Sequence, residues 1–184
     1  MLAVRSDRRG FLKKGLLGGA ILAIGGTIPI LLRSGVTFYR PRGPLRILSN
    51  AEYAIFAAAT ARLVPGEGAA ADWPAAQTLD CAGQVDALLA RLHPAAAADF
   101  RKLLHVFENA MTGLLSTGFP TTFTRSSPAD QDRRLEAWRH SRLALFRSGY
   151  QAMKRLAVAV YYASPETFAR VEYPGPPVVP QVPA

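Results

Sequence analysis

From Leu48 to Arg170 the apolar residues recur at three- and four-residue spacing. No segment alternates apolar and polar positions with β-branched enrichment for long enough to make a strand. That spacing confines the chain to an all-α fold, a helical bundle of about five helices. Prolines and capping residues mark where each helix starts and stops.

The first helix opens at Leu48-Ser49-Asn50-Ala51-Glu52. Ser49 is a good N-cap and Glu52 stands three residues on, which makes a capping box, with Leu48 and Tyr53 at the staple positions. Tyr53, Phe56, Thr60, Leu63 and Val64 share one face, and Pro65-Gly66 ends the helix. Glu67–Gln77 reads as a surface loop whose only bulky point is Trp73-Pro74. A second helix spans Leu79–Leu92, with Val85, Leu88, Leu89 and Leu92 inward and Asp86 and Arg91 outward. Pro94 suits the first turn of a third helix to about Thr117. Phe100, Leu103, Leu104, Phe107, Met111, Leu114 and Leu115 form its core face. Ser127-Pro128 starts a fourth helix with Leu135 and Trp138 inward. A fifth runs from about Ser141 to Ala163 with Leu143, Phe146, Tyr150, Met153, Ala157, Val160 and Tyr161 inward. Ser164-Pro165 then begins a short helical turn to Arg170.

Ahead of this body lies a different kind of sequence. Ser6-Asp7-Arg8-Arg9-Gly10-Phe11-Leu12-Lys13-Lys14 precedes eighteen uncharged residues, Gly15–Leu32, and Arg33. Arg8, Arg9, Phe11, Leu12 and Lys13 in that order resemble a bacterial twin-arginine export signal. An ordinary membrane anchor with a basic flank is the alternative. As a helix the apolar run would reach about 27 Å, just short of a bilayer core. No clean Ala-x-Ala follows it, so both a cleaved leader and a retained anchor stay open. The twin-arginine route moves folded proteins, so such a chain folds before it crosses, alone or with a partner attached. Residues 1–33 are therefore set apart as signal or anchor. Residues 34–47, with Arg40-Pro41-Arg42-Gly43-Pro44, are a linker that cannot continue a helix. Residues 48–172 are the helical domain. Residues 173–184 are a tail with five prolines, favouring extended polyproline II conformation. It is either a loose terminus or an arm that lies on a partner at low entropic cost.

The net charge of +9 is concentrated at the front, where residues 1–33 hold six basic side chains against Asp7. Arg40, Arg42 and Arg46 account for most of the rest. Arg133, Arg134, Arg139, Arg142 and Arg147 are interrupted by Asp130, Asp132 and Glu136. They read as a solvated helix face, and no nucleic-acid surface is expected. His93, His105 and His140 have no metal spacing and read as caps, surface residues or core contacts. His140-Ser141 are helix neighbours that point apart, not a nucleophile and its base. The sequence has no Gly-x-Ser-x-Gly, no Cys-x-x-Cys and no dinucleotide fingerprint, so neither a catalytic site nor a bound cofactor or metal is expected in this chain. Cys81 is the one cysteine; it is buried, free or paired to another protein. Its place after a loop raises an intersubunit disulfide as one expectation.

Three stretches together resemble a known family. They are Leu48-Ser49-x-x-Glu52-Tyr53…Ala61-Arg62-Leu63-Val64-Pro65, Val85–Leu92, and Tyr161-Tyr162-Ala163-Ser164-Pro165…Val171-Glu172-Tyr173-Pro174-Gly175-Pro176. The resemblance is to the gluconate 2-dehydrogenase small (gamma) subunit family, over about 48 to 177. Phe168 stands where that family often has Trp, and Val171-Glu172 where Ile-Gly is usual. The resemblance implies a non-catalytic small subunit. It would bind a large FAD-dependent dehydrogenase of alcohols, sugars or sugar acids and escort it through the twin-arginine translocase. It would then stay bound in the periplasm, anchored to the inner membrane if the leader is kept. FAD would belong to the partner, with a cytochrome c subunit or another acceptor taking the electrons. Tyr161, Tyr162, Phe168 and Tyr173, with Pro174, Gly175 and Pro176, are the expected partner contacts, because aromatics dominate interface cores. The competing expectation places Tyr161 and Phe168 in the chain's own core. The competing function is a membrane-anchored helical scaffold or binding protein with no flavoprotein partner.

Overall fold

The structure is a computed structural model that describes residues 39–65, 72–118 and 120–176. The export motif at Arg8, Arg9, Phe11, Leu12 and Lys13, the loop residues 66–71 and the tail beyond Pro176 lie outside the described residues. Among the described residues seven α-helices follow one another: α1 Asn50–Leu63, α2 Cys81–Leu89, α3 Pro94–Glu108, α4 Ala110–Thr117, α5 Pro128–Arg139, α6 Ala144–Tyr162 and α7 Pro165–Phe168. Single 3-10 turns at Phe123–Arg125 and Ala169–Val171 complete the order. There is no strand among the described residues, and none of their helices is long and apolar enough to cross a membrane.

Helix α1 starts with the expected capping box. Ser49 Oγ accepts from the Glu52 amide at 3.3 Å, and the Glu52 carboxylate accepts from the Ser49 amide at 2.7 Å. The helix ends where Val64 turns extended ahead of Pro65. The single inward face expected for it is too narrow. Ala54, Ile55, Ala58, Ala59 and Ala61 are buried as well as Tyr53, Phe56 and Thr60, so α1 is covered on nearly every side. It touches α2, α3, α5 and α6. The alanines make this feasible, since small side chains let four neighbours approach one helix.

The Glu52 carboxylate is buried in that core, and α3 neutralises it. Arg101 Nε lies 3.0 Å from Glu52 Oε1, and His105 Nε2 lies 2.8 Å from the same atom. Burial alone would raise the Glu52 pKa. The hydrogen bonds from Ser49, and then the Arg101 guanidinium, outweigh it and hold the group below its ordinary value.

Helix α2 corrects one expectation. Asp86 does not face outward; it is 3% exposed and accepts from three consecutive backbone amides. Arg46 and Leu48 donate at 2.7 Å and Ile47 at 2.9 Å. Burial pushes this carboxyl up, but those three donors outweigh it and keep the group below its ordinary range. Leu92, expected inward, lies beyond the helix end and is exposed.

The expected third helix is two helices. Asn109 takes an extended backbone (φ −61°, ψ 134°), closes α3 and caps α4, accepting from the Met111 amide at 2.8 Å. The break rotates the second half off the core. Phe100, Leu104 and Phe107 stay buried, whereas Met111, Leu114 and Leu115 are 50%, 40% and 64% exposed. Gly113 sits at the close approach that follows. A Cβ there would lie 2.6 Å from the Thr121 carbonyl oxygen and against Arg134 Nη2, so no larger residue fits without a shift.

Arg134 is the second correction. It belongs to no solvated face, being 1% exposed. It donates to the carbonyls of Phe107 and Thr121, tying α5 to the end of α3 and to the loop after α4. Glu108 stands nearby and accepts from the Thr124 amide at 3.0 Å. Desolvation raises the Glu108 pKa despite Thr124 and the Arg134 charge. Leu135 and Trp138 point inward as expected; the Trp138 ring stacks on Phe146 at 4.6 Å and meets Phe107 edge-on at 4.8 Å. On α6 the expected stripe of Phe146, Tyr150, Met153, Ala157, Val160 and Tyr161 is buried. Leu143 precedes the helix and is 54% exposed, not inward.

Candidate interaction site

The sequence ending folds into a hook. Ser164 and Pro165 start α7, and Thr167, fully buried, donates its hydroxyl to the Ser164 and Tyr161 carbonyls. After the 3-10 turn Glu172 takes a left-handed backbone (φ 53°), which reverses the chain. The Tyr173 amide then donates to the Phe168 carbonyl at 3.0 Å, and the two rings meet edge-on at 5.1 Å. Gly175, at φ 99°, brings the backbone back beside the Phe168 ring, a conformation that favours glycine. Tyr-Pro-Gly-Pro is thus wrapped around Phe168.

The expected contact residues divide in two. Tyr161 is fully buried; its hydroxyl donates to the Pro74 carbonyl at 2.8 Å and its ring stacks with Trp73 at 6.3 Å. Tyr161 therefore holds the loop before α2 onto α6 and is not a surface anchor. Tyr162 and Phe168 are half-buried, Tyr162 packing edge-on against Trp73 and Tyr161. Tyr173 is 45% exposed, Pro174 and Pro176 are exposed, and Gly175 is half-buried. The surface face of this group is Tyr162, Phe168, Tyr173, Pro174 and Pro176.

Cys81 lies inside the core. It opens α2 at 1% exposure, and burial first, then the Asp80 charge, push its thiol up to about 11. A protonated core thiol is neither accessible nor nucleophilic, so the geometry opposes an intersubunit disulfide.

A second surface escaped the sequence reading: Met111, Leu114 and Leu115 on α4, and separately Leu143 and Leu145 at the start of α6, are all at least 40% exposed. The signal that could have found the first group is Asn109, an N-cap residue inside a run otherwise read as one helix.

The polar side chains that might do chemistry are occupied otherwise. His93 caps α3 by accepting from the Ala95 amide, His105 meets Glu52, and His140 pairs with Glu136 at 2.7 Å on the surface. Ser141 accepts from the Leu143 amide. Among the described residues no group of three His, Cys, Asp or Glu could hold a metal ion.

No curated protein and no solved structure matches the chain. The family model described as gluconate 2-dehydrogenase subunit 3 matches residues 50–175, from the first residue of α1 to the glycine of the hook. That span covers more than half of the chain and every helix described above, and the chain belongs to the gluconate 2-dehydrogenase subunit 3 family.

Proposed function

We propose that this chain is a non-catalytic small subunit of a flavin-dependent dehydrogenase. It binds a large FAD-containing subunit that oxidises an alcohol, sugar or sugar acid, carries it through the twin-arginine translocase, and stays bound in the periplasm. The observation that carries this reading is the family match across the whole helical body. The twin-arginine motif Arg8-Arg9-x-Phe11-Leu12-Lys13 at the front of the same chain supports the escort role. The body offers exposed aromatic and apolar residues, Tyr173, Met111 and Leu115 among them, of the type that anchors a protein partner. Flavin is inserted where the large subunit folds, so a folded holoenzyme must cross. A cytochrome c subunit or another acceptor then takes the electrons.

The test replaces Arg8 and Arg9 together with lysine and follows the large subunit. Dehydrogenase activity and bound flavin are expected to remain in the cytoplasm. Undiminished activity in the periplasm would remove the escort role. Purification of the tagged wild-type chain is expected to bring down a flavoprotein in fixed ratio; a bare monomer would instead favour the anchored scaffold.

A further inference from the structure

A cleft of about 270 Å³ opens between the linker and the body, lined by Arg40, Arg42, Tyr53, Gln77 and Thr78. Its position follows from the clamp at Asp86, which fixes the linker end at Arg46–Leu48 against α2. Arg42 is already placed, since its Nη2 donates to the Gln77 carbonyl at 3.1 Å and leaves its remaining N–H groups unspent on that bond. Arg40 is exposed and, among the described residues, forms no ion pair. No acidic residue occurs between Asp7 and Glu52, so nothing in the linker neutralises these arginines. Among the described residues no carboxylate lines the cleft; Asp80 stands behind Tyr53, accepting from the Tyr53 hydroxyl at 2.7 Å and from the Gly83 amide at 3.2 Å.

We propose that this cleft binds a phosphoester group. A carboxylate has two oxygens, which one guanidinium fork satisfies. Two guanidinium side chains lining one cleft, Arg40 and Arg42, together with Thr78, suit an anion that spreads its charge over more oxygens. Pro41 fixes the backbone between the two arginines, so little freedom is lost when both engage one ligand. The volume exceeds what a bare phosphate fills and leaves room for the alcohol it is esterified to. Two sources offer this chemistry: a soluble phosphoester, and the headgroup of an anionic phospholipid. The site does not depend on the dehydrogenase partnership.

The experiment uses the full chain in neutral detergent, titrated with glycerol phosphate and read by calorimetry. In a second arm the chain is added to phosphatidylcholine vesicles with and without phosphatidylglycerol. The ratio of the two binding constants is read, since the apolar N-terminal stretch contributes to both. Saturable binding is expected in at least one arm, weakened about tenfold or more by Arg40→Gln. Arg155→Gln, an equal loss of charge at an exposed position on α6, is expected to leave it unchanged. Binding of glycerol phosphate assigns a soluble phosphoester; a phosphatidylglycerol preference alone assigns the lipid. No binding in either arm overturns the proposal, as does an equal effect of both substitutions, which would mean diffuse charge.

Discussion

Helices α3 and α4 come from one uninterrupted stretch of three-and-four spacing, yet they meet opposite fates. On α3, Leu104 and Phe107 are completely buried; on α4, Leu115 keeps 64% of its surface in solvent. The apolar pattern is the same on both sides of Asn109. Periodicity establishes that a helix has an apolar face. It does not say which body covers that face. Within this chain α1, the 3-10 turn at Phe123–Arg125 and the aromatic cluster around Trp138 cover α3. The exposed residues of α4 are left for another molecule under the proposed function.

Four measurements can break or sharpen that contrast. Phe107→Ala should cost the most, about 3–5 kcal/mol, because it empties the contact with Phe123 and Trp138. Thermal or urea unfolding checks it, and a loss below about 1 kcal/mol would mean α3 is not the load-carrying half.

Asp86→Asn should cost about 1–3 kcal/mol near neutral pH, since three amide donors lose a charged acceptor. It should also change the acid limb. The Asp86 carboxyl is held below its ordinary 3.8, so its contribution is present above that value and is lost as pH falls through the lower folded value. Glu52 behaves alike, whereas Glu108, raised by desolvation, contributes most below its ordinary 4.5 and loses that contribution as pH rises through its folded value. Melting curves from pH 6 to pH 2 should therefore be flatter at the acid end in Asp86→Asn than in the wild type. Identical slopes would show that the clamp does not titrate.

Asn109→Ala should cost about 1 kcal/mol through the lost cap of α4. If stability instead rises, the two helices have fused and the break was the local preference of Asn109 alone. Leu115→Ser should move the stability of the isolated chain by less than about 0.5 kcal/mol. Retention of the large subunit by tagged chain carrying Leu115→Ser should fall. A stability loss near that of Phe107→Ala would erase the contrast.

The parts of the fold that could be read in advance are those written in local chemistry. Ser49 with Glu52, Pro94, Ser127-Pro128 and Ser164-Pro165 each start a helix where expected. The stripe on α6 could be read because one face does all the packing. The misreadings share a cause: their partners are distant in sequence. Asp86 and Arg134 are charged, and charge ordinarily means solvent. Each is buried because backbone amides or carbonyls, 38 to 40 residues away for Asp86 and 13 to 27 for Arg134, satisfy it. The all-round burial of α1 was hidden by alanines, which mark neither face. In the hook, the aromatic residues could be identified but not sorted. Only the Pro74 carbonyl, 87 residues from Tyr161, reveals that this tyrosine faces in while Tyr173 faces out.

The Asp86 clamp also has a mechanical meaning. Under tension applied from its leading end, the chain would pass the load into the body at Arg46, Ile47 and Leu48, where one carboxylate holds three neighbouring amides. The three amides belong to successive residues, so a pull reaches Arg46 first and Leu48 last, and all three bonds must part before it passes on. A protein towed by its front would thus be held at α2 before the strain could begin to unwind α1.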